Sequence, residues 1–228
     1  MSFWDRIEQA LRTAHQHTIG AILDALAAQQ QRRNDAAFSI ALIALSAKMA
    51  KADGVVTDDE IEAFRQFFSF PDDQADKVRM LYNLAQQDVA GFEEYVRRVA
   101  KIFEDAPRVL EDVMDCLFYV AAADGIAHPH EIELLERAAE IFGIAPLSFR
   151  RMKAAHLGLG DDDPYFILGI EPGLTAAQIK SAYRSLVRDF HPDALIARGV
   201  PPDLVKISEA RMASINSAYE RIVTEIEA

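Results

Sequence analysis

One short motif occurs twice in this chain, and the pair dictates a helical architecture. Ala52-Asp53-Gly54-Val55, followed by Glu60-Ile61-Glu62, returns seventy-one residues later as Ala123-Asp124-Gly125-Ile126 with Glu131-Ile132-Glu133 at the same internal spacing. An apolar helical run precedes each copy, Phe38 to Met49 and Val113 to Ala122. Gly54 and Gly125 suit the left-handed residue that closes a helix. Thr57 with Glu60 matches a capping box that opens the next one. In the second copy Pro129 fits a first helical position, where no backbone donor is missed. Each copy therefore reads as helix, tight acidic turn, helix. The middle section adds helices near Gln74–Gln87 and Phe92–Phe103, against which both pairs bury their apolar faces.

The chain reads as all-α throughout. Residues 1–35 form an amphipathic helix and a hinge: Phe3, Trp4, Ile7, Leu11, Ile19, Ile22, Leu23 and Leu26 follow a period near 3.6, and Gln29 to Asp35 is a polar break. Acids and bases nearly balance on that helix, whereas membrane-surface helices carry a Lys/Arg-rich polar face. It is expected to pack on the body or on a second copy, with peripheral membrane contact as the alternative. Residues 36–156 make a helical domain of about 120 residues, a usual size. The acidic stretch Gly158-Leu159-Gly160-Asp161-Asp162-Asp163 is a boundary expected to be protease-sensitive, and residues 163–228 form the last unit.

That last unit centres on His191-Pro192-Asp193. Pro172 and Gly173 break the chain after a short helix, and Thr175 caps a second helix running to about Phe190. Ile179, Tyr183, Leu186 and Phe190 share a face that would pack against Ile207, Met212, Ile215 and Tyr219 of a third helix. Lys180, Arg184 and Arg188, at steps of four, form a basic stripe in an otherwise acidic chain. Pro192 ends the helix and disfavours helical geometry at His191. The imidazole of His191 and the carboxylate of Asp193 are thereby held outside the helices, within reach of a partner.

Taken with Tyr165, Leu168, Gly169, Tyr183 and Ser217-Ala218-Tyr219, this arrangement resembles a DnaJ-type J-domain. The resemblance implies a co-chaperone, not an enzyme, that makes a DnaK-type heat-shock chaperone hydrolyse ATP. Lys180, Arg184 and Arg188 would steer onto an acidic chaperone surface, and His191, Pro192 and Asp193 would contact its nucleotide-domain/linker junction. The pattern departs from the family at Ala194, Ser185 and Asp189, positions that are commonly basic. The doubled Ala-Asp-Gly unit over Ala36–Arg151 resembles the TerB-like domain of tellurite-resistance proteins and of the DjlA branch of J-proteins. That order implies a helical targeting module for an unknown client, followed by a J-domain hairpin.

Other classes are disfavoured by composition. A net charge of −12 opposes nonspecific nucleic-acid binding. No stretch approaches the roughly eighteen uncharged apolar residues of a membrane span, and Asp5 and Glu8 stand where a signal peptide would be basic. A cytoplasmic location is expected. Cys116, the single cysteine, lies in an apolar run and reads as a buried structural thiol. No glycine loop for phosphate and no catalytic constellation appear, so no cofactor is expected. A rival reading makes the chain a metal-binding or metal-stress protein with an accessory J-domain. Asp53 and Asp124, with Asp58, Asp59, His128, His130 and Glu131, cluster at the two turns. The calcium-loop spacing fails, with Val55 and Phe64 at ligand positions, so these residues are read as caps and surface charges.

Overall fold

The computed structural model describes residues 20, 23, 35–52, 80, 82–85, 91–122, 129–157, 163–200, 205 and 207–227. Every regular element among them is a helix, as the periodicity predicts. The body comprises α1 (Asp35–Ala52), α2 (Phe92–Ile102), α3 (Pro107–Ala121), α4 (Pro129–Phe142) and α5 (Pro146–Leu157). The C-terminal hairpin comprises α6 (Pro164–Leu168), α7 (Ala176–Phe190), α8 (Pro192–Ala197) and α9 (Ile207–Glu227).

Helix α1 is buried at every position from Ala37 to Met49, as expected of a helix whose apolar residues run all round it, with Ser39, Ser46 and Lys48 buried among them. It forms the axis on which α2 and α3 pack, and α4 packs on both of those. On α2 the buried positions Phe92, Tyr95, Val96 and Val99 keep the i, i+3, i+4, i+7 pattern of a one-sided helix, with Glu93 and Glu94 in its first turn and Lys101 in its last. Helices α3, α4 and α5 each open on a proline, which needs no partner for a backbone donor it lacks. Cys116 on α3 is buried, and burial together with Asp115 and Asp112 pushes its thiol well above the usual range, so it does not supply a thiolate. The turn residues Gly54, Thr57, Glu60 and Gly125, and the metal candidates Asp53 and Asp124 with Asp58, Asp59 and His128, lie outside the described residues. His130 is described and faces Glu133 at 3.5 Å.

In the hairpin, α7 and α9 pack lengthwise and α6 closes one end. Leu168, Ile179, Phe190, Ile215, Ala218 and Ile222 are its buried centre, flanked by Tyr183, Leu186, Met212 and Tyr219. The sequence pattern pairs Ile179, Tyr183, Leu186 and Phe190 with Met212, Ile215 and Tyr219, as found here; Leu168, Ala218 and Ile222 are added by the structure, and the side chain of Ile207 lies outside the described residues. The rings of Tyr183 and Tyr219 stack with centroids 4.1 Å apart, and the Tyr183 hydroxyl donates to Asn216 Oδ1 at 3.1 Å. Body and hairpin also touch. Helix α9 lies against α5 and α3, and α6 lies against α5. Leu195 and Val200, although they follow the tripeptide, are buried in the body's apolar core.

Candidate functional site

Helix α7 is held at both ends by its own sequence. At the start, the Gln178 backbone N–H donates to Thr175 Oγ1 at 3.4 Å, and the Thr175 N–H donates to Gln178 Oε1 at 2.9 Å. This is a reciprocal capping box. At the end, His191 leaves the helix with ψ 138°, the extended geometry that a following proline favours. Between these points the buried face fixes the helix rotation. Lys180, Arg184 and Arg188 consequently fall on solvent and are all exposed. Arg188 donates to Ser185 Oγ at 3.4 Å.

His191 is at once the last residue of α7's cap and the N-cap of α8. The Asp193 backbone N–H donates to His191 Nδ1 at 3.2 Å. The Asp193 carboxylate lies 3.7 Å from the same nitrogen, too far for a hydrogen bond, so the backbone contact orients the ring. A neutral imidazole that accepts at Nδ1 carries its proton on Nε2 and offers it outward. The His191 side chain is 54% exposed and that of Asp193 is 90% exposed. The tripeptide thus displays an exposed imidazole and an exposed carboxylate at the tip of a basic helix. The sequence places Asp193 in a loop. The structure puts it in the first turn of the short helix α8, because Pro192 suits a first helical position.

Beneath the tip runs a polar seam that joins hairpin to body. Arg198 grips Asp112 of α3 with two bonds, Nε to Oδ2 at 2.6 Å and Nη2 to Oδ1 at 2.8 Å. Arg211 of α9 pairs with Asp115, one turn further along α3, and its guanidinium lies 3.9 Å from the Phe190 ring centroid. His156 of α5 completes the group, with Nε2 3.1 Å from Asp115 Oδ1. The two carboxyls respond in opposite directions. Burial pushes Asp112 up to about 6 despite Arg198, whose own side chain is partly exposed. Burial also pushes Asp115 up, but Arg211 and His156 together outweigh it and hold that carboxyl below its usual range. At the rim, Arg108 Nη2 meets Asp189 Oδ2 at 3.3 Å, and Arg151 Nε donates to the Phe166 carbonyl at 2.9 Å.

Residues 39–154 match the family "Tellurite resistance protein TerB", and residues 163–225 match the DnaJ domain. The chain belongs to the TerB family and carries a DnaJ domain behind it. The same order appears in relatives named co-chaperone protein DjlA. That of Coxiella burnetii is 26% identical over 194 residues, 76% of this chain and 72% of the relative. Those of Salmonella typhimurium and Escherichia coli are each 25% identical, covering 84% of this chain and 80% of the relative. No solved structure matches the chain. Among the described residues no helix of this DjlA-like J-domain protein is long and apolar enough to cross a membrane.

Lys180, Arg184, Arg188, His191, Pro192 and Asp193, which the sequence singles out, are all exposed, whereas the seam below them was not read from the sequence. Nothing in the helical pattern of the sequence singles out Asp112, Asp115 or Arg198. A buried acid three residues from another, with arginines elsewhere to match, was the available signal. The seam pairs residues 86 and 96 positions apart, which helical periodicity does not encode.

Proposed function

We propose that this protein is a cytoplasmic co-chaperone that stimulates ATP hydrolysis by a DnaK-type chaperone, with its TerB-like body bringing an unidentified client to that partner. The observation carrying this reading is the exposed His191-Pro192-Asp193 tip on the basic helix α7, inside the region matched by the DnaJ domain. The chemistry belongs to the partner, and this chain contributes recognition. Lys180, Arg184 and Arg188 raise the encounter rate with an acidic surface and orient the approach. The Nε2–H of His191 then donates, and the Asp193 carboxylate accepts, at a site whose polar groups lose water on docking. Support also comes from the curated relatives, which are named co-chaperones.

A single-turnover ATPase assay with a purified bacterial DnaK tests the reading. The full chain is expected to accelerate hydrolysis, and His191→Gln to abolish the acceleration with circular dichroism unchanged and melting nearly so, because the side chain is half exposed and its one hydrogen bond caps only the six-residue α8. Equal stimulation by the two proteins would remove the tripeptide from the mechanism.

A further inference from the structure

The tripeptide is bracketed by contacts to the body. Two residues before His191, Asp189 meets Arg108 of α3 at 3.3 Å. Two residues after Asp193, Leu195 enters the body's core, 6% exposed, and Val200 follows it at 3%. Between these anchors Arg198 forks onto the buried Asp112 at 2.6 and 2.8 Å. Helix α8 has only six residues, far below the length at which a helix holds itself together in water. Its shape must come from what it is fastened to. A buried bidentate pair is a poor source of net stability compared with apolar packing, and its best-attested use is to select one arrangement over others. The same account covers a departure from the J-domain pattern: Asp189, acidic where a base is common, faces Arg108.

We infer that the TerB body is the frame that sets the posture of the chaperone-binding tip, with Asp112, Arg198 and Leu195 acting as positioning residues that fasten α8 and so preorganise His191 and Asp193. This rests on the function proposed above and adds a cause for the tip's geometry. Without the fastening, the segment after Pro192 would have to be ordered during each encounter, at a cost that weakens binding without altering the contacts finally made. The affected quantity is the concentration of this protein needed for half-maximal stimulation of the ATPase. The maximal rate should be spared.

The test uses the full chain with Arg198→Ala, and with Arg198→Ala combined with Asp112→Asn. The second variant leaves no uncompensated buried carboxylate, so a folding defect in the first does not decide the matter. Both are expected to raise the half-maximal concentration about tenfold at an unchanged maximal rate, the size that losing one ordered segment's preorganisation produces. Hydrogen exchange of amides 194–200 should quicken by at least a similar factor, with exchange over 176–190 and 207–222 unaltered. The proposal is overturned if loop exchange stays at the wild-type rate. It is equally overturned if exchange quickens while the half-maximal concentration stays put. Retained stimulation by His191→Gln sinks the proposed function instead, and exchange then decides alone whether the body holds the segment.

Discussion

Asp112 is where the physical chemistry of single residues is most exposed to test. Its carboxyl titrates near 6 in the folded chain against 3.8 as an unperturbed group, because burial opposes its charge more than Arg198 favours it. The folded state therefore binds this proton more tightly than the unfolded state does. The resulting stability is present below about pH 4 and is lost as pH rises through about 6, a change on the order of 3 kcal/mol. Urea unfolding of wild type and Asp112→Asn across that window isolates the effect. The difference between the two should move against the wild type by about that amount. A pH-independent difference would contradict the burial argument. Gly169 poses a second residue-scale test, with φ +70° and the Arg151 guanidinium where a methyl would sit. Gly169→Ala should cost about 1–2 kcal/mol in thermal or urea unfolding from the left-handed backbone alone. The sequence marks the break after α6 at Pro172 and Gly173, and the structure places the helix's left-handed cap at Gly169. The crowding of Gly169 against Arg151 is not legible in the sequence, because α5 arrives there through tertiary packing.

At the scale of elements, the sequence was most readable where a helix is made by its own residues. The cap at Thr175, the halt at Pro192 and the apolar face of α7 are all local and stand as the pattern predicts, and Gln178 completes a capping box that the pattern did not name. Thr175→Ala should remove about 1 kcal/mol, seen as a melting temperature lower by about 2–4 °C. The exposed stripe on α7 predicts a rate effect. Lys180→Ala, Arg184→Ala and Arg188→Ala combined should slow association with DnaK, and the wild-type rate should fall as salt rises. Stopped-flow association that ignored both charge removal and ionic strength would leave steering without support. Helix α8 escaped the sequence reading because a six-residue element has too few positions to show a period. Leu195 and Val200 look like stray apolar residues in a polar loop until the body supplies the surface they enter.

For the whole molecule, the question is how far the two matched regions act as separate bodies. The acidic glycine-rich junction argues for independence, since it has little apolar surface to order it. The seam argues for docking: two buried acid–arginine pairs and two apolar side chains of the hairpin in the body's core. Magnitudes favour the apolar part as the source of adhesion, since burying a Leu or Val side chain stabilises by about 1.5–3 kcal/mol while buried ion pairs are nearly neutral overall. Adhesion of that origin is insensitive to screening. Limited proteolysis should therefore cut within 158–162 and leave two helical fragments that co-elute on size exclusion, even at about 1 M salt, where the screening length falls to about 3 Å. Leu195→Ala should let the cut halves part while each keeps its helical circular dichroism. If the wild-type halves separate at low salt, the body does not hold the hairpin, and the tip must take its posture from the J-domain alone.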